Sequence, residues 1–246
     1  MERLKCTIQY DGSFFSGFQI QPGKRTIQGI IEDVLMKMHK GRHIRIHPSG
    51  RTDGGAHAIG QTIHFDSPYD IPLNNWKQAL NTLLPDDVYV KEVEKVQDTF
   101  HARYDVVEKE YRYYVLNEAE PNVFKRNYAY FFPYVLDISS IQQACRYFEG
   151  THDFTTFSSA KAETKGSRER TLYQVSCEKR GSEIEFIFRG NGFLYNMVRI
   201  IVGFLLDVGQ GKRNQDEIEE LFAKKDRRLA GDTAPPQGLY LWRVTY

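Results

Sequence analysis

A carboxylate flanked by glycines is the feature of this chain best suited to chemistry. Asp53 lies in the run Gly50-Arg51-Thr52-Asp53-Gly54-Gly55-Ala56-His57-Ala58. Residues 42–47 before it and 60–66 after it alternate polar and apolar as strands do. Glycines let a neighbouring backbone approach closely, so a carboxylate held there can serve as base or nucleophile on a bulky substrate. The same letters also spell a hairpin turn, because Asp-Gly is a preferred turn pair. Arg199 is the second such residue. It is the only charged side chain between Arg189 and Asp207, among Met197, Val198, Ile200, Ile201, Val202, Phe204 and Leu205. A guanidinium buried there needs an anionic partner. Asp53 as that partner would be kept ionised; a structural ion pair or an arginine reaching out to water fits the helical pattern equally well.

Other constellations are weaker. His39, His43 and His47 would align on a helix, but Gly41 ends the helical pattern and 42–47 alternates, so a basic strand face of His43, Arg45 and His47 replaces a metal site. His57 and His64 have no Cys or acidic cluster at ligand spacing, and no triad, phosphate loop or dinucleotide fingerprint is present. Tyr111 and Tyr113 share one face of a strand, where they either pack the sheet or stack on an extruded base. Residues 158–170 carry Lys161, Lys165, Arg168 and Arg170 and read as an exposed loop, either simply solvated, as charge-rich loops usually are, or in contact with a phosphate. Gly190-Asn191-Gly192 reads as a turn.

The elements that would position these residues follow one plan twice. In the first half, strands are expected at 4–10, 42–47, 60–66 and 88–96. Helices are expected after Thr26, with Ile27, Ile30, Ile31, Val34, Leu35 and Met38 as the stripe, and at 73–84 before Pro85. In the second half, strands are expected at 110–116, 171–177, 183–188 and 239–245. Helices are expected after a Ser139 or Ser140 cap, at 193–208 and at 215–223. Each half reads β-α-β-β-α-β, the ferredoxin-like order, with halves at 1–105 and 106–246 and a cleft where they meet.

Composition sets bounds. Lys+Arg 33 against Asp+Glu 32 leaves a net charge of +1, so a polyanionic partner requires the positive charge to be sorted onto one face. Cys6, Cys145 and Cys177 are far apart, without disulfide or metal spacing, which fits a reducing cytosol. The opening Met1-Glu2-Arg3-Leu4-Lys5 has no apolar leader core, and the apolar stretch 197–206 is broken by Arg199 and too short for a bilayer. A cytoplasmic protein is expected.

The Asp53 run resembles the active-site motif of the TruA family of tRNA pseudouridine synthases. So, in order, do Tyr10-Asp11-Gly12 with Phe14, Gly17-Phe18-Gln19-Ile20-Gln21, Gln61 to Phe65, Phe100-His101-Ala102-Arg103, Lys109-x-Tyr111-x-Tyr113, Gly150-x-His152-Asp153-Phe154, Phe193 to Ile200, and Pro235-Pro236-x-Gly238-Leu239. The resemblance implies an α+β fold, with two ferredoxin-like halves in one extended, mostly antiparallel sheet, helices on one side and a central cleft. It implies conversion of uridine to pseudouridine at nucleotides 38–40 of the tRNA anticodon arm. A homodimer with tRNA across both subunits is implied, and neither cofactor nor metal. By resemblance Asp53 is catalytic, Tyr111 contacts the target uridine, Arg199 pairs with the aspartate, and Arg51 holds the site or the flipped nucleotide. The family more often has Ala and Val where this chain has Gly54 and Ala56, and Trp where it has Phe18. An RNA-binding protein without catalysis and a small-molecule enzyme using Asp53 are the rival classes.

Overall fold

Alternation along the first residues becomes β1 (Glu2–Tyr10), which buries Leu4, Cys6, Ile8 and Tyr10 on one face. The computed structural model describes residues 1–159 and 166–246, and its backbone clusters into two units, Met1–Val107 with Tyr240–Tyr246, and Glu108–Leu239. The final strand, expected to close the second half, thus belongs by its contacts to the first.

In the first unit β1 is followed by α1 (Ile27–Met38), β2 (His47–Pro48), β3 (His57–Ser67), α2 (Leu73–Leu83) and β4 (Val88–Val96). Thr26 caps α1 as expected, its hydroxyl accepting the Gly29 N–H at 3.3 Å. β1 lies antiparallel between β3 and β4, and β2 pairs with β3, which is the ferredoxin-like strand order. The strand expected at 42–47 is largely absent: only His47 and Pro48 pair, with His64 and Ile63. The cause is Glu32 of α1, whose buried carboxylate accepts the Ile46 N–H at 3.1 Å and lies 2.9 Å from His43 Nε2. A backbone donor that a ladder would use is taken by a side chain. The alternation survives as burial, with Ile44 and Ile46 inside and His43 and Arg45 exposed.

The second unit contains β5 (Glu108–Leu116), β6 (Tyr130–Phe131), α3 (Ile138–Arg146), β7 (Gly150–Asp153), β8 (Glu169–Arg180), β9 (Glu183–Gly190), α4 (Met197–Gly209) and α5 (Glu217–Lys224). β5, β9, β8 and β7 pair antiparallel in that order. Phe148, Phe157, Phe204 and Phe222 meet edge to face behind them. The α3 cap is Asp137, not Ser139 or Ser140: its carboxylate accepts the Ser140 N–H at 3.2 Å, and both serines lie inside the helix. The helix expected from residue 193 begins only at Met197, because Asn196 is left-handed at φ 61°. Of the basic loop 158–170, Lys161 and Lys165 lie outside the described residues. Ser158 is buried and accepts from Arg168 at 2.9 Å, and Arg170 is the second residue of β8. With the final strand, Leu239–Thr245, as β10, the architecture is α+β and mostly antiparallel with five α-helices among the described residues, the expected class. No helix among them is long and apolar enough to cross a membrane.

One buried group gives the first unit a pH dependence. His64 is 2% exposed, its Nδ1 accepts the Ala102 N–H at 3.1 Å, and its ring stacks on His47 at 4.9 Å. Burial first, then His47, His101 and Arg3, pushes its pKa down to about 4 from 6.5. As pH falls below 6.5 the unfolded chain takes up this proton before the native one does. The stability it contributes is therefore whole above 6.5, falls between 6.5 and about 4, and loses no more below. In His64→Asn the amide oxygen can take the Ala102 N–H but does not titrate. Denaturant melts should show it losing about 3 kcal/mol less than wild type between neutral pH and the bottom of that window. Parallel pH profiles for the two proteins would rule His64 out.

Candidate active site

The segment joining β2 to β3 carries Asp53, and it is pinned along its length. At its start Ser49 donates its hydroxyl to Gln61 Oε1 at 2.7 Å, and Gln61 Nε2 donates to the Gly50 carbonyl at 2.8 Å. Gln61 is fully buried on β3, so the amide ties the loop to the sheet. Next, Thr52 presents its carbonyl to the Phe18 N–H at 3.1 Å, and its hydroxyl lies 2.7 Å from the Tyr10 hydroxyl. Asp53 then opens a turn: its carbonyl accepts the Ala56 N–H at 3.2 Å, with Gly55 at φ 81° in the third position. Gly55 N–H donates to the Phe15 carbonyl at 3.3 Å. Beyond the turn, His57 is buried, accepts the Gly12 N–H at Nδ1 over 3.1 Å, and stacks on Tyr240 at 4.6 Å. Asp11 Oδ1 lies 3.2 Å from the same Nδ1.

The clamp on Asp53 is thus the chain between Tyr10 and Phe18, which the sequence places far away. Close approach there depends on glycine. A Cβ on Gly12 would sit 1.8 Å from the Ala56 carbonyl oxygen; one on Gly17, at φ 95°, would sit 3.1 Å from that of Thr52. The side chain of Asp53 stays partly exposed while Thr52, Ala56 and His57 around it are buried. A fixed backbone with a reachable carboxylate is what a reacting group needs. The turn reading of Asp-Gly therefore holds for this loop, and the turn leaves the carboxylate partly exposed.

Burial pushes the Tyr10 phenol up to about 12, with Thr52 and Gln61 pulling the other way, so it keeps its proton and can brace the loop near neutral pH. Tyr10→Phe should leave the fold in place, lower stability by about 1 kcal/mol, and slow turnover roughly tenfold through a looser Asp53. Thermal melts and steady-state rates check both. An unaltered rate would show that the hydroxyl does not brace the carboxylate.

Arg51 belongs to the same loop and is exposed. Tyr111 and Arg199 belong to the second unit. Tyr111, on β5, is 8% exposed and packs edge to face on Phe193 at 4.9 Å. Tyr113, on the same face, is fully buried and donates to the Pro235 carbonyl at 2.6 Å, so it packs the sheet. Arg199 is partly exposed on a largely buried α4, as are Gly203 and Asp207. Its Nε donates to the Ala234 carbonyl at 2.7 Å and its Nη1 to Asn196 Oδ1 at 3.1 Å. Asn196 adopts its left-handed backbone at the helix entrance, which puts its amide oxygen within reach of Arg199. Sequence reasoning gave no role to Asn196, Thr52 or Tyr10. The close backbone approach expected at the glycines beside Asp53 is tightest at Gly12 and Gly17 instead.

The sequence model of the family described as tRNA pseudouridine synthase matches residues 7–105 and 144–246. The chain belongs to this family. It is therefore an enzyme, an isomerase acting on tRNA. Among curated relatives, the tRNA pseudouridine synthase A of Oceanobacillus iheyensis is 64% identical over 100% of this chain and 97% of its own length. The protein of the same name from Geobacillus sp. strain WCH70 is 55% identical over 100% and 98%. That of Bacillus subtilis is 51% identical over 99% of each. The first stretch matched as tRNA pseudouridine synthase holds Asp53, Arg51 and the whole Tyr10–Phe18 clamp, and the second holds Arg199. Tyr111 falls between the two.

Proposed function

We propose that this protein isomerises uridine to pseudouridine at nucleotides 38–40 of the tRNA anticodon arm, with Asp53 as the catalytic carboxylate. The observation that carries the reading is the clamped loop: a partly exposed aspartate on a backbone fixed from both sides, in a pseudouridine synthase chain. The reaction breaks the C1′–N1 bond, turns the base and forms a C1′–C5 bond. C5 then gives up its hydrogen as a proton and N1 gains one. Nothing is oxidised and no atom is added, so the chemistry asks for a positioned carboxylate and no cofactor. Attack at C1′, addition at C6 and removal of the C2′ proton each place that demand on Asp53.

The target nucleotide must leave its stack, at a cost of a few kcal/mol that backbone contacts offset. Tyr111, Arg51 and Arg199 are assigned to holding it. A cytoplasmic homodimer with tRNA across both subunits belongs to the same proposal, and sedimentation with and without tRNA tests the dimer. The reaction is tested with tRNA tritiated at uridine C5. Release of tritium, with modified positions mapping to 38–40, is the expected result. Tight binding without release would favour the RNA-binding reading instead.

A further inference from the structure

The basic face noticed in the sequence around Arg45 and His47 is part of a larger patch within the first unit. The His47 ring stacks on His64 and lies 5.6 Å from that of His101. His101 in turn carries Tyr104, ring on ring at 4.3 Å. A tight turn fixes this pair. The Tyr104 and Asp105 N–H groups both donate to the His101 carbonyl at 3.1 Å, the Arg103 N–H donates to His101 Nδ1 at 3.1 Å, and Asp105 takes the His101 N–H at 2.8 Å. Tyr104 nonetheless stays 75% exposed. A large aromatic on a backbone fixed by this turn, in contact with one ring and otherwise open to solvent, suits a stacking platform.

The charges around it are also distinctive. In the same unit Arg3 and Arg25 are tied to Asp66 and Asp87. Arg45 and Arg103 are exposed, and among the described residues neither forms an ion pair. Burial, then His101, Arg45 and Arg3, lowers the pKa of His47, as expected where the local field is positive. The Asp105 carboxylate is the acid of this turn, and it is engaged by the His101 backbone. An overall charge of +1 makes such local sorting necessary for any polyanion.

We propose that Arg45, His47, His101, Arg103 and Tyr104 form a second contact surface for tRNA, with the arginines meeting backbone phosphates and Tyr104 stacking on a base. This rests on tRNA being the substrate. Ionic and stacking contacts leave different signatures. In filter binding to unmodified tRNA across a salt series, the double variant Arg45→Gln, Arg103→Gln should lower the slope of log Kd against log salt by about 1–2. Tyr104→Ala should weaken binding roughly tenfold at fixed salt with the slope unchanged. Arg180→Gln, an exposed arginine of the second unit, should alter neither. All the substituted side chains are exposed, and thermal melts confirm folding. Wild-type affinity and slope in both patch variants, or a slope change no larger than that of Arg180→Gln, would overturn the proposal. Because the readout is binding, an absence of tritium release from wild type would sink the synthase reading while leaving this result interpretable.

Discussion

Asp53→Asn should bind tRNA as wild type does and release no measurable tritium from it. The substitution keeps the size of the side chain and one acceptor oxygen, so the turn that Asp53 opens, held by its own carbonyl and the Ala56 N–H, is not disturbed. What goes is the negative charge and the basic lone pair. Each of the three routes open to this residue needs one of these, so the loss should reach at least about a thousandfold in kcat, the scale on which a missing acid–base or nucleophilic group is felt. Binding should hold or tighten slightly, since removing a negative charge beside a phosphodiester chain cannot weaken attraction to it. Single-turnover tritium release and filter binding on the same preparations separate the two effects. A parallel fall in both would mean that Asp53 serves the fold or the RNA contact and not the chemistry.

Much of the architecture was legible because the signals were local. The stripe from Ile27 to Met38, with Thr26 before it, is α1 to the residue, and the alternation at 88–96 is β4. The features that were not legible each involve a partner distant in sequence or an unusual backbone. Residues 42–47 alternate as a strand should, but the ladder is interrupted because Glu32, on another element, takes the Ile46 N–H. The N-terminus of α4 is displaced by one left-handed residue, Asn196, in a run whose apolar pattern gives no sign of it. The α3 cap is Asp137 and not the serine pair after it, because aspartate and serine cap about equally well and composition alone does not choose between adjacent candidates. At the site, the type of Asp53 and its glycines were readable. The partner of those glycines was not, because the Tyr10–Phe18 segment reaches Asp53 only through the fold of β1 against β3.

That dependence makes Gly12 the most exposed weakness of the site. Gly12→Ala should cost roughly a hundredfold in turnover, although Gly12 touches no reacting group. Its added Cβ would meet the Ala56 carbonyl oxygen at 1.8 Å and the carbonyl carbon at 2.6 Å. Both are backbone atoms, so no side chain can swing aside. Either the Ala56 peptide or the Asp11–Ser13 turn must move by about 1 Å or more, and a displacement of that size near a reacting group costs about two orders of magnitude in rate. The shift reaches Asp53 directly, since the Ala56 N–H closes the turn on the Asp53 carbonyl. It also strains the Gly12 N–H bond to His57. Stability should fall by about 1–3 kcal/mol, the usual range for overpacking, and the protein should remain folded. Gly54→Ala is the matched comparison. Gly54 is exposed, next to Asp53, and its Cβ would make only ordinary contacts from 3.4 Å outward. Its rate should stay within about twofold of wild type, an unstrained surface change of a few tenths of a kcal/mol. If Gly12→Ala kept full activity, the clamp would be packing alone and Asp53 would be held by other means. If Gly54→Ala fell as far as Gly12→Ala, the loop would be intolerant of any side chain, and the specific contact with Ala56 would lose its meaning.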